Sequence, residues 1–185
     1  PKMGDAAGTP FLHCPAHPDA VNVRHVVFLH GASFTKEIWV KREIMQQFCA
    51  EPTVSATAVD TSFSNYTQLQ AVLDNLELSS SVRKPVVLVT PSAGGMSVVD
   101  WMINGNVTVL RQYVSVWIPV AVGSLPSASD DQVASLVPMP VLAIHGDQDT
   151  TGGRMSERLE QLAGATVVEL PGEHPVYRDS PVEFA

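Results

Sequence analysis

The stretch Pro85 to Met96, PVVLVTPSAGGM, decides how this chain is read. Its apolar run Val86–Val89 closes on Thr90 and Pro91, then on Ser92 among small residues, then on a helical pattern. A short apolar run of this kind is a strand covered on both faces, and the small residues after it turn the chain sharply into a helix. A serine at that apex has its hydroxyl pushed clear of the sheet and its amide near a helix N-terminus, as a nucleophile elbow requires. The usual elbow is Gly-x-Ser-x-Gly, whereas here it is Thr90-Pro91-Ser92-Ala93-Gly94. Taken alone, the motif leaves catalysis and an ordinary helix N-cap both open.

The same alternation extends to both sides. Upstream, Arg24 to Leu29 is an apolar strand closing on His30-Gly31-Ala32-Ser33-Phe34, and a helix runs from Trp39 to about Phe48. Thr53–Val59 is the next strand, and Tyr66–Leu78 is an amphipathic helix with Leu69, Val72, Leu73 and Leu76 on one face. Downstream, Ser92 opens a helix that Asn104-Gly105-Asn106 stops. Val114–Val122 reads as a central strand with Pro119 near its end or at a bulge. Pro140–Ile144 is a strand, Met155–Leu162 a helix, Thr166–Leu170 a strand and Pro171–Tyr177 a loop. This order predicts an α/β fold: a doubly wound, mostly parallel sheet in a three-layer αβα sandwich, with sites where loops leave the carboxyl ends of the strands.

One domain is expected over residues 1–185, because 185 residues with 45% apolar content build one sizeable core and not two. Pro1–Pro10 reads as a frayed end, Phe11–Cys14 as a short edge strand, and 123–137 as a minimal cap with one helical turn around Asp130–Leu136. A net charge of −8 without basic clusters gives no footprint for nucleic acid or an anionic membrane, and no apolar run is long enough to span one. Two cysteines, Cys14 and Cys49, outside any CxxC pair make a disulfide framework improbable and a reducing compartment the simpler expectation. His13, Cys14 and His17 lack a second ligand pair at zinc spacing, so no metal is expected.

A serine hydroxyl needs a base to take its proton and a carboxylate to orient that base. The strand-end loops supply Ser92, Asp149 and His174 in that chain order. Asp147 competes for the acid position, but in a Gly-Asp-x-Asp turn the first aspartate often caps the turn by bonding its own backbone while the second can project into the site, so Asp149 is preferred. For His174 the bland alternative is a loop histidine in a Gly-Glu-His-Pro turn. The oxyanion donors are the backbone N–H of Ala93 and that of Ala32, with Ser33 in reserve. His30 is read as shaping this loop, since HG at a strand end is mainly turn-forming. Trp39, Met96 and Trp117, with Ser33, are the candidate pocket walls, although core packing is the commoner use of such residues.

HVVFLHGASFTKEIW, PVVLVTPSAGGM, IPVAVG, PVLAIHGDQD and LPGEHPVYRDSPVEF together resemble the small α/β-hydrolase-domain-14 family, from about residue 25 onward. That family also has proline before the nucleophile. The resemblance implies an α/β-hydrolase fold, Ser92 as nucleophile, Asp149 as acid and His174 as base. It further implies a serine hydrolase or acyltransferase acting on small acyl esters or acetylated amines, an acetylated protein among the substrates, and no bound cofactor. The resemblance leaves the acyl acceptor open between water and coenzyme A, the latter for lysine deacetylation, and it implies a protein partner and a cytoplasmic, also nuclear, location. A hydrolase-fold interaction or ligand-binding module with an idle triad is the rival reading. Two departures from the pattern stand out: Thr61–Asn65 replaces the usual glycine-rich loop after Asp60, and the chain reaches Ala185 where a last helix normally begins.

Overall fold

The computed structural model describes residues 1–60 and 64–185, so the expectation about Thr61–Phe63 lies outside the described residues. Among the described residues eight strands form one sheet: β1 (Lys2–Ala6), β2 (Thr9–Cys14), β3 (Arg24–Phe28), β4 (Val54–Val59), β5 (Val86–Pro91), β6 (Val114–Val120), β7 (Leu142–Gly146) and β8 (Thr166–Leu170). Their spatial order is β1-β2-β4-β3-β5-β6-β7-β8. From β4 to β8 all neighbours run parallel, while β1 and β2 are added antiparallel at one edge. Strand order reverses at β3, because β4 lies on one side of it and β5 on the other. Loops leaving β3 and β5 therefore diverge and leave a crevice between them.

The helices are α1 (Ile38–Lys41), α2 (Ile44–Ala50), α3 (Tyr66–Ser79), α4 (Met96–Asn104), α5 (Val107–Tyr113), α6 (Asp130–Ala134), α7 (Thr150–Ala163) and α8 (Pro181–Phe184). Alternate strand residues feed two cores. Val27, Val86, Leu88 and Trp117 pack with α3, α4, α5 and α7 on one face, and Val26, Phe28, Val89 and Val120 pack with α1 and α2 on the other. That period-two division makes the predicted three-layer sandwich. Leu69, Val72, Leu73 and Leu76 are the buried face of α3, as their spacing predicts. Pro119 sits one residue from the end of β6.

Several expectations change. The N-terminus is not frayed: β1 pairs along its length with β2 through a turn at Ala7-Gly8, both at positive φ, with Gly8 N–H donating to Asp5 Oδ1 at 2.7 Å. Consequently β2 is an interior strand between β1 and β4, not an edge. Cys14 and Cys49 form a disulfide with their Cα atoms 5.7 Å apart, joining β2 to α2. They lie 35 positions apart in sequence, so no local motif announces the pairing, and the expectation of a reducing compartment loses its basis. The Trp39–Phe48 helix is two helices broken at Glu43, whose φ is 58°. Helix α5, capped by the Asn106 side chain on Thr108 N–H at 2.8 Å, stands where only a stop was read.

The 123–137 segment is held down rather than free. Ser129 and Gln132 form a capping box on α6, and the Arg158 guanidinium donates to Leu125 O at 2.8 Å, Ala128 O at 2.7 Å and Asp130 Oδ1 at 2.7 Å. From the other end, Arg111 donates to the carbonyls of Ser135 and Val137. Among the described residues no helix is long and apolar enough to cross a membrane.

Candidate active site

At the end of β5 the chain turns through a 3₁₀ turn, Ser92–Gly95, before α4. Ser92 has φ of 48°, a left-handed conformation that a non-glycine residue holds only when its surroundings impose it. They do so here by close packing. A Cβ on Gly94 would stand 2.7 Å from His30 O, and one on Gly95 would stand 2.5 Å from the Val122 side chain. Only glycines let the elbow seat this deeply between the ends of β3 and β6. Thr90, the departure from the usual motif, is buried and accepts the Trp117 indole N–H on its hydroxyl at 2.8 Å. A hydroxyl residue at that position thus satisfies a buried donor that glycine would leave without a partner.

Asp149 and His174 leave the ends of β7 and β8. Their side chains meet, with His174 Nδ1 2.9 Å from Asp149 Oδ2. Asp149 is nearly buried, and its other oxygen caps α7 by accepting Gly152 N–H at 2.8 Å. A Cβ on Gly152 would lie 2.5 Å from that carboxylate, so the glycine leaves it room. Asp147 faces elsewhere: its carboxylate accepts Gly172 N–H at 2.9 Å and braces the base of the His174 loop, a bond to a distant segment rather than the cap on its own turn that was expected.

Two further residues, missed in the sequence, close that loop. Asp179 accepts Glu173 N–H at 2.9 Å, and Ser180 donates its hydroxyl to Pro171 O at 2.6 Å. Both lie within ten residues of their partners, and an Asp-Ser-Pro sequence after the histidine was a usable signal for such a closure.

The loop after β3 carries the other half of the site. His30 is buried, with Nδ1 2.8 Å from Gly31 O and Nε2 3.1 Å from Asp60 Oδ1. Lys36, also buried, reaches Asp60 Oδ2 at 3.3 Å and Glu37 at 2.8 Å. Hydrogen bonding from Lys36, then from the Thr35 hydroxyl, holds the Glu37 carboxyl down at about 2, and the Glu37 bond is the main cause raising the Lys36 ammonium. Asp60 and Lys36 thus tie the β3 and β4 loops together. Their signal in the sequence was only an aspartate directly after β4 and a lysine shortly before α1.

Two cavities adjoin here, sharing Gly31, Ala32 and Phe34 as a common wall. The smaller, about 220 Å³, holds Ser92, His174, Ser33 and Tyr177. The larger, about 610 Å³, is lined by Ala93, Gly94, Met96, His30 and Asp60. Ala32 and Ala93, the proposed oxyanion donors, therefore border the position between the two. Ala93 lies in the first turn after the elbow, where a backbone N–H has no partner inside its own helix.

Ser33 and Met96 thus line the cavities. Trp39 and Trp117 do not, which corrects the expectation for both. Each is fully buried, Trp39 donating its indole N–H to Leu29 O at 3.1 Å and packing on Phe28 and Tyr177. Trp117 lies in the opposite core, beneath the elbow.

Comparison with solved structures places the chain in the α/β-hydrolase fold. A predicted CIB-like hydrolase from Thermoplasma acidophilum superimposes with a TM-score of 0.75 at 20% identity, over 99% of this chain and 92% of that one. An S-formylglutathione hydrolase from Staphylococcus aureus gives 0.72 at 13% identity, over 95% and 90%. The fluorophosphonate-binding serine hydrolase F of Staphylococcus aureus gives 0.67 at 13% identity, over 95% and 89%. No protein-family model and no curated protein sequence matches the chain.

Proposed function

We propose that this α/β-hydrolase-fold protein is a serine hydrolase or acyltransferase working through an acyl-enzyme on Ser92. The observation that carries the reading is the Asp149–His174 hydrogen bond of 2.9 Å at the wall of the cavity that also holds Ser92. With Nδ1 engaged by the carboxylate, the free edge of the imidazole is Nε2, the atom a general base uses. Ser92 Oγ attacks the acyl carbonyl and its proton passes to His174 Nε2. The carbonyl oxygen becomes an oxyanion that accepts the Ala32 and Ala93 N–H groups. Collapse breaks the bond to the leaving group, which takes the proton from His174, and the acyl group stays on Ser92. Water, or a thiol such as coenzyme A, then repeats the sequence in reverse and frees the enzyme.

The 123–137 segment is short, pinned and borders neither cavity, so it builds no tunnel over the opening, which supports small or exposed acyl groups over long lipid chains. Small acetyl esters and acetylated amines, including acetyl-lysine in a protein, are the substrates that fit this opening and the resemblance to the hydrolase-domain-14 family. Incubation with an acetyl ester or an acetyl-lysine peptide, followed by mass spectrometry, tests the reading. An acetyl group on Ser92 that disappears faster with coenzyme A than in buffer identifies a transferase, and equal rates identify a hydrolase. Turnover that persists in Ser92→Ala would refute both.

A further inference from the structure

The smaller cavity contains a charged group that the acyl-transfer steps do not use. Arg178 lines it together with Ser92 and His174, and among the described residues it is the only lysine or arginine on either cavity at this sheet edge. It stands on the 3₁₀ turn Val176–Arg178, four residues beyond the base, with its own N–H donating to Pro175 O at 3.0 Å. The bonds of Asp179 to Glu173 and of Ser180 to Pro171 close the same loop, so base and guanidinium are carried on one braced segment.

Arg178 is exposed and, like seven other lysines and arginines among the described residues, forms no ion pair, so no carboxylate occupies the guanidinium at the cavity mouth. Its neighbour Asp179 is committed to Glu173 N–H. The remaining walls are neutral: Phe34, Pro175 and Tyr177 face the loop Gly31–Ser33. Tyr177 is fully buried and its hydroxyl has no hydrogen-bond partner among the described residues. This leaves a guanidinium beside an aromatic wall, with its planar fork of donors unassigned.

Resting on the acyl-enzyme reading, we propose that Arg178 is a specificity residue that binds an anionic group, carboxylate or phosphate, on the leaving alcohol or thiol. The side is set by the chemistry. His174 returns its proton to the leaving group, so the leaving group must lie on the His174 side of the oxyanion donors, which is the Arg178 cavity. The acyl group then faces the larger cavity with Met96. The same site receives an anionic acceptor in the second half-reaction, since deacylation runs through the reverse geometry.

The probes are 3-acetoxybenzoate, its neutral carboxamide and 3-acetoxyphenyl phosphate, compared in wild type, Arg178→Gln and Arg178→Lys. Taking the wild-type to Arg178→Gln ratio cancels the intrinsic reactivity of each ester. That ratio of kcat/KM is expected to be about 3- to 10-fold larger for an anionic ester than for the carboxamide, as a partly solvated charge-assisted contact allows, with Arg178→Lys between. The carboxylate and phosphate arms tell which anion is preferred. Equal losses on all three esters would overturn the proposal. So would selectivity for charge on the acyl side alone, read from p-nitrophenyl hemisuccinate against p-nitrophenyl butyrate. A second readout needs no turnover: in Ser92→Ala, binding of 3-hydroxybenzoate by titration calorimetry should weaken by a similar factor on adding Arg178→Gln. Arg178-dependent binding in a protein that never acylates would remove the enzymatic reading and keep the anion site, whereas binding indifferent to Arg178 would remove the site.

Discussion

His174 Nδ1 stands 2.9 Å from Asp149 Oδ2, and the other oxygen of the same carboxylate accepts Gly152 N–H at 2.8 Å. One side chain therefore both holds the His174 imidazole and caps α7, and the two duties separate on substitution. Asparagine is as good an N-cap as aspartate but neither stabilises an imidazolium nor enforces its tautomer. Asp149→Asn should keep its melting temperature and lose about 10³- to 10⁴-fold in kcat. Asp147→Ala should do the opposite, losing about 1 kcal/mol of stability with less than about a tenfold change in rate. Thermal melts and ester kinetics on the pair check this, and a larger rate loss at Asp147 would reverse the assignment.

The positive φ of Ser92 predicts a conflict between stability and function. Glycine relieves the left-handed conformation and alanine does not, so Ser92→Gly should be more stable than Ser92→Ala by about 1 kcal/mol in urea denaturation. Both should be inactive. Equal stabilities would mean that the elbow carries no strain.

The Cys14–Cys49 bridge closes a loop with a sequence separation of 35. By chain entropy alone such a closure is worth about 3 to 4 kcal/mol. Replacing both cysteines by alanine should lower stability by that order in chemical denaturation, and thiol titration of the native protein should find no free thiol. Two reactive thiols and an unchanged midpoint would contradict the pairing.

Stability should also fall in mild acid through two histidines away from the site. Burial, then the nearby charges of His25 and Lys2, holds His13 below its ordinary 6.5, and burial together with Arg83 does the same to His25. As pH falls through 6.5 the unfolded chain takes up these protons before the folded one, so stability is full above that value and is lost below it. His13 sits between the hydroxyls of Thr57 at 2.9 Å and Ser81 at 3.1 Å, and glutamine preserves hydrogen bonding there without titrating. Melting temperatures between about pH 8 and pH 5 should decline less steeply in His13→Gln than in wild type. An unchanged slope would exclude His13 as a source.

What could be read in the sequence was local. The elbow, the Gly-Asp-Gln-Asp turn and the Gly-Glu-His-Pro turn each stand at the strand end that positions them, so the placement of Ser92, Asp149 and His174 at one sheet edge was legible from adjacent residues. Alternation of strands and helices likewise carries the sheet. The unread features depend on distant partners. Met3 and Leu12 pair only once the hairpin folds back, Cys14 of β2 meets Cys49 of α2, and Asp60 joins His30 and Lys36 from another strand. Trp39 and Trp117 show the limit most clearly. Pattern gave their elements, but only the packed structure assigns Trp39 to one core and Trp117 to the other, away from the cavities.

Reaction of the folded protein with a fluorophosphonate probe, with the modified residue located by mass spectrometry, tests the central claim most directly. A single adduct on Ser92 is expected, absent in Ser92→Ala and slowed by at least about 10³-fold in His174→Ala, since the hydroxyl then lacks its base. A folded protein that stays unlabelled, or that labels equally well without Ser92, would contradict it.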